Sequence, residues 1–182
     1  MIALIGFTGT GKSTIGRLLA TSYGFVCFDV DALVEQQVGC TVRDLFATKG
    51  EAVFRQLESD VIHHVIDTCT AKQAVLVTGA GAVLSKDNRE YLDQHCFTVH
   101  IDTPLDLVMA RLAGDQQRPL LQGTDRAQAI DRTQVIEDLY QARKDLYRFA
   151  HEKICATEAR SAVTSILAKR MRKEGNRLCV EL

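Results

Sequence analysis

The chain has 182 residues, 46% apolar and 25% charged, a composition that suits one domain with a buried core. Its 22 Lys and Arg against 23 Asp and Glu leave a net charge of −1, so no overall field favours nucleic acid or an anionic membrane surface. Apolar runs fall short of a transmembrane helix, the residues after Met1 lack the basic region of a secretory leader, and the six cysteines are dispersed with no C-x-x-C pair. A cytosolic chain with reduced thiols, binding neither nucleic acid nor membrane, is expected.

The predicted elements alternate between strand and helix. Residues 2–5 read as a buried strand, followed by a glycine-rich turn and a helix over about 12–22 with Ile15, Leu18 and Leu19 on one face. A second strand covers 25–28 and ends at Asp29. Two short helices are expected at 31–38 and 41–48, the latter capped by Thr41 with Asp44 three residues on. A longer helix spans about 51–68, where Val53, Leu57, Val61 and Val65 recur at helical spacing. Strands follow at 74–77 and 97–101, with a helix near 86–94 between them. Thr103 is read as the cap of a helix that starts at Pro104, where a missing N–H costs nothing, and runs to Leu112. The polar stretch 114–125 reads as a loop, 126–145 as a helix and 153–155 as a strand. Thr157 is taken as the cap of a final helix reaching about Lys173, and the remaining tail carries no strong signal. His63-His64 reads as a helix surface pair, since no third ligand lies at a metal-binding spacing.

Apolar strands separated by helices predict an α/β fold with a parallel sheet covered on both faces. Within it, Gly6-Phe7-Thr8-Gly9-Thr10-Gly11-Lys12-Ser13 matches G-x-x-x-x-G-K-[ST] at the junction of the first strand and first helix. Glycines let several backbone N–H groups converge on one anion, and the following helix adds its positive end. Lys12 supplies a charge for the β- and γ-phosphates, and Ser13 a hard oxygen for Mg²⁺. A nucleoside triphosphate is the expected ligand, with Gly9, Thr10, Gly11, Lys12, Ser13 and Thr14 around its phosphates. No T/N-K-x-D base-reading signature of GTPases is present, which leaves transfer of the γ-phosphoryl to a small molecule.

The opening run 6–20 resembles that of shikimate kinases. So do, in the same order, Asp29-Val30-Asp31, the segment 50–58 (GEAVFRQLE), Thr78-Gly79-Ala80-Gly81 and Arg118-Pro119-Leu120-Leu121. The resemblance covers about residues 1–150. It implies a P-loop kinase fold with a five-stranded parallel sheet, a single domain over 1–174 followed by a tail over 175–182, an acceptor region at about 31–60 and a lid at about 112–125. It implies an ATP-dependent enzyme that phosphorylates the 3-hydroxyl of shikimate on the route to chorismate, with Mg²⁺ as cofactor and a monomer expected.

Residue by residue, the resemblance gives Asp29 the metal, through water, alongside Ser13. Asp31 takes the acceptor hydroxyls and their proton; two carboxylates on alternate positions after a strand face the same way, which suits that pairing. Arg55 and Arg143 take the acceptor carboxylate, for which a planar guanidinium fork is the matching group, and Glu58 orients Arg55. Arg118 is assigned to the γ-phosphate, and Arg111 and Arg160 to the adenine side. The turn Gly79-Ala80-Gly81 departs from the family's triple glycine, and Asp145 stands where the family has proline. If the turn requires positive φ at residue 80, alanine would strain it by about 1 kcal/mol. Ala80 therefore leaves open another hydroxy acid such as gluconate as acceptor. A nucleotide-binding module without turnover is disfavoured by the intact set Lys12, Ser13, Asp31 and Arg118.

Overall fold

The computed structural model describes residues 1–113 and 129–178. Five strands form one parallel sheet: β1 (Ile2–Ile5), β2 (Val26–Asp29), β3 (Ala74–Val77), β4 (Phe97–Asp102) and β5 (Glu152–Cys155), in the order β2-β3-β1-β4-β5. β1 lies at the centre, with Ile2 in register with Val75 on one side and Phe97 on the other. Successive side chains of a strand face opposite ways, so each face gathers its own core. Ala3, Ile5 and Leu76 join Val34, Leu45 and Ile62 on one face, while Ile2, Leu4 and Val75 join Ile15, Leu19 and Ile166 on the other.

Among the described residues, seven helices accompany the sheet: α1 (Lys12–Tyr23), α2 (Val30–Val38), α3 (Val42–Thr68), α4 (Lys86–His95), α5 (Leu105–Ala113), α6 (Ala129–Arg143) and α7 (Ala159–Leu178). Ile15 and Leu19 of α1 are fully buried, and each such side chain contributes about 1.5–3 kcal/mol. A third, smaller cluster places Phe7 among Val108, Leu112 and Ile136, with the Tyr140 ring edge-on to Phe7 at 5.6 Å. None of the helices is long and apolar enough to cross a membrane among the described residues.

Several element boundaries differ from the sequence reading. The helices expected at 41–48 and 51–68 join into α3, bent at Gly50, whose φ of 83° and ψ of 169° are non-helical. Only glycine takes that conformation without strain, so the break between the two expected helices is real but tight. Thr41 caps α3 as expected, its Oγ1 accepting from the Asp44 N–H at 3.1 Å. Thr103 instead donates its hydroxyl to the carbonyls of Thr10 (3.2 Å) and Ala156 (2.9 Å), tying β4 to the phosphate loop and to the end of β5. The helix read as 126–145 is α6, followed by a separate 3₁₀ turn Lys144–Tyr147. A second 3₁₀ turn, Ala82–Leu84, carries no periodicity long enough to be read in sequence. α7 continues through Glu174 to Leu178, so the expected boundary of the tail falls inside a helix. His63 stacks on Tyr91 at 4.1 Å and lies 3.4 Å from Asp87. No group of three or more His, Cys, Asp or Glu suited to a metal ion occurs among the described residues.

Candidate active site

The loop between β1 and α1 turns on Gly9 (φ 76°) and Gly11 (φ 91°), left-handed conformations that let its amides curl toward the start of α1. Lys12 is nearly buried, and its Nζ donates to the carbonyls of Gly6 and Phe7, each at 2.8 Å. The Thr10 hydroxyl donates to Phe7 O at 2.8 Å. Arg111 braces the loop from outside: Nη1 donates to Gly9 O and Nη2 to Thr157 O, both at 3.1 Å. Ser13 and Thr14 are exposed in the first turn of α1, where the helix dipole favours an anion.

β2 and β3 run in register, Asp29 beside Val77, so Asp29, Asp31 and the turn after β3 meet at the carboxyl edge of the sheet. Ligands bind at this edge in open parallel sheets. A cavity of about 440 Å³ lies there, lined by residues 9–14 of the phosphate loop, Asp29, Asp31, Thr78, Gly79, Ala80, Arg111, Ala156 and Ala159. Arg160 is exposed on α7 and lies outside this lining; one residue along a helix is about 100° around its axis, so Ala159 takes the wall instead. Arg118 lies outside the described residues.

A second cavity of about 100 Å³ opens beside the first and shares Asp31, Gly79 and Ala80 with it. Arg55, Glu58, Gly81 and Arg143 also line it. Glu58 is completely buried; its Oε2 accepts from Arg55 Nη1 at 2.7 Å, while its Oε1 has no hydrogen-bond partner among the described residues. Burial pushes the Glu58 carboxyl up to about 7, against the pull of Arg55. The turn packs directly on these groups. A Cβ at Gly79 would stand 2.3 Å from Glu58 Oε1 and 2.9 Å from Asp31 Oδ1, and one at Gly81 would stand 2.3–2.4 Å from the Arg55 guanidinium. Ala80 is accommodated, since no non-glycine among the described residues has positive φ. Its carbonyl accepts from Tyr147 at 3.4 Å. Arg143 is nearly buried, makes no side-chain hydrogen bond or ion pair to another described residue, and is shifted below its ordinary pKa by burial, with the Arg55 charge adding to the effect.

Of the residues named from sequence, Lys12, Ser13, Asp29, Asp31 and Arg111 line the larger compartment and Asp31, Arg55, Glu58 and Arg143 the smaller, whereas Arg160 lines neither and Arg17 and Thr8 were not singled out. The sequence reading also missed the apolar wall of the smaller compartment, formed by Phe7, Val42, Phe46, Phe54 and Leu139. Phe46 and Phe54 sit 4.9 Å apart, yet in sequence they follow the same periodicity as any core residue.

Ser13 and Asp29 offer one hydroxyl and one carboxylate in the larger cavity, hard oxygen donors suited to Mg²⁺. Since the described residues hold no complete ligand set, these two fit an ion that draws its other ligands from water and phosphate oxygens.

A phosphate loop sharing Asp31 and a backbone turn with a small compartment that holds two guanidinium groups is the arrangement of a P-loop small-molecule kinase. The comparisons narrow that class: the family model described as shikimate kinase matches residues 8–173, and the chain belongs to the shikimate kinase family. The shikimate kinase of Psychrobacter cryohalolentis is 42% identical over 148 residues, spanning 81% of this chain and 74% of that one. That of Histophilus somni is 40% identical over 162 residues, spanning 88% and 87%. The solved structure of shikimate kinase from Acinetobacter baumannii in complex with shikimate is similar with a TM-score of 0.84 at 35% identity, covering 94% of this chain and 93% of that one.

Proposed function

We propose that the chain transfers the γ-phosphoryl group of ATP to the 3-hydroxyl of shikimate, releasing ADP and shikimate 3-phosphate. The observation that carries this reading is the shared wall: Asp31, Gly79 and Ala80 border both the phosphate-loop cavity and the compartment with Arg55 and Arg143. A hydroxyl held at that wall meets a phosphoryl group in line, and an acid of shikimate's size places its carboxylate among the arginines.

The amides of residues 9–14 and Lys12 bind the phosphates, and Lys12 exchanges its loop carbonyls for phosphate oxygens. Mg²⁺ held by Ser13 and, through water, by Asp29 would neutralise charge on those oxygens. Arg111, fixed between Gly9 and Thr157, borders the adenine side with Ala156 and Ala159. Asp31 accepts a hydrogen bond from the 3-hydroxyl and takes its proton as the new O–P bond forms and the bond from the γ-phosphorus to the bridging oxygen breaks. Arg55 and Arg143 hold the acceptor carboxylate, Glu58 fixes Arg55, and amides of residues 79–81 face the acceptor. The apolar wall excludes water that would otherwise compete as the nucleophile. The assignment of Arg118 to the γ-phosphate rests on the family resemblance alone.

ADP release in a coupled assay tests the proposal. Turnover with shikimate supports it, while turnover with gluconate or a nucleoside monophosphate and none with shikimate overturns it. Asp31→Asn is expected to retain nucleotide binding and lose most of kcat.

A further inference from the structure

Two carboxylates of its own helix hold the Arg55 guanidinium, and only Glu58 has so far been given a role. Glu51 stands one turn before Arg55, and its Oε1 accepts from both Nε (3.1 Å) and Nη2 (2.9 Å). Glu58 Oε2 takes a hydrogen from Nη1 at 2.7 Å. A guanidinium carries five N–H donors in one plane, so these three bonds leave one hydrogen on each terminal nitrogen. The flat face of the group meanwhile rests on Gly81. Both the plane of the guanidinium and its rotation within that plane are thus set before any ligand arrives. The two remaining hydrogens, one on each terminal nitrogen, are left to meet a carboxylate.

The placement of Glu51 follows from the bend in α3. Gly50 breaks the helical backbone, so Glu51 opens the second segment, where a negative charge is favoured and an i,i+4 partner is within reach. An isolated exposed pair at that spacing contributes little. Here, however, Glu51 is one arm of a clamp whose other arm is completely buried. Glu51 is 47% exposed, Arg55 23% and Glu58 0%. With burial raising the Glu58 carboxyl toward neutrality, that arm is only partly charged near pH 7.

We propose that Glu51 is a positioning residue for acceptor capture, acting through Arg55 by holding its two remaining terminal N–H groups toward the acceptor carboxylate. The inference rests on the functional reading above. Glu51 lines neither cavity. Its worth lies in sparing the guanidinium a search among rotamers each time an acid enters, which is a contribution to acceptor affinity rather than to the chemical step.

Two variants and two measurements test it. With ATP saturating, Glu51→Ala is expected to raise the shikimate KM about fivefold to twentyfold, with kcat changed by less than about twofold and the ATP KM unaltered. Glu51→Gln, whose amide oxygen still accepts from Nε and Nη2, should stay within about threefold of the parent. Independently of any acceptor, the ¹⁵N–¹H signal of Arg55 Nε should be sharp and slow to exchange in the parent and in Glu51→Gln, and broadened by solvent exchange in Glu51→Ala. An unchanged or lowered shikimate KM in Glu51→Ala, or an Arg55 signal the same as the parent's, overturns the proposal. If the parent fails to turn over shikimate, the functional reading falls, and the Arg55 signal still decides whether Glu51 sets the guanidinium.

Discussion

The His100 imidazole lies flat against the Tyr147 ring, 4.5 Å between centroids and 12° between planes. Through the Tyr147 hydroxyl this pair joins β4 to the carbonyl of Ala80. Burial drives the imidazole down to about 4 from its ordinary 6.5, so the stack forms on a neutral ring.

A pH dependence of stability follows. The unfolded chain protonates His100 near pH 6.5 and the folded chain only near 4, so the folded state binds fewer protons between those values. The contribution is complete above pH 6.5 and is lost as pH falls through about 4, reaching about 3 kcal/mol. His100→Phe preserves the stack without the titration. The stability of the parent relative to this variant, from urea unfolding at each pH, is expected to decline steadily from pH 6.5 to 4.

Glu58 titrates with the opposite sign. Its folded value of about 7 lies above the ordinary 4.5, so the folded chain keeps a proton that the unfolded chain has released. Stability from this group is therefore full below pH 4.5 and lost as pH rises to about 7. Glu58→Gln removes the titration, and in acceptor-free protein its stability relative to the parent should climb across that window and level off above it. The same variant weakens the charge beside Arg55 and is expected to raise the shikimate KM.

The turn after β3 separates two kinds of glycine substitution. Gly79→Ala and Gly81→Ala push a methyl group into Glu58 and Arg55 respectively, and each is expected to raise the acceptor KM at least about tenfold while leaving the ATP KM near that of the parent. Ala80→Gly restores the family glycine at a position without left-handed backbone. Kinetics should change by less than about twofold, with stability lowered by about 0.5–1 kcal/mol.

Removal of the Lys12 ammonium takes away a phosphate-binding charge and the donor now shared by Gly6 O and Phe7 O. Lys12→Ala is expected to lower kcat by about a hundredfold or more. Steady-state kinetics check this, alongside a thermal scan showing that the fold persists.

Much of this architecture could be read in the amino-acid order because local and global preferences agree. Ile2–Ile5 and Ala74–Val77 are apolar on both faces, as strands buried on both sides must be, and a glycine-rich phosphate motif between strand and helix leaves little freedom. Asp31, Arg55, Glu58 and Arg143 were legible as polar groups in family motifs. Less legible were features decided by long-range contacts. Thr103 has the residue type of a helix cap, and only the approach of Thr10 and Ala156 redirects its hydroxyl. Phe46 and Phe54 look like core until the neighbouring compartment is seen, and the Glu51 contact depends on a bend at Gly50 that periodicity cannot express.

Phe7 belongs to the phosphate loop, yet its ring is wedged between Val108 and Leu112 of α5 and Ile136 and Tyr140 of α6. Whatever sequence is grafted between residues 113 and 129 inherits two anchor points whose separation is gauged by that one aromatic side chain. Chimeras exchanging this segment among relatives should therefore transplant cleanly only when the residue after the first glycine of the loop keeps its bulk.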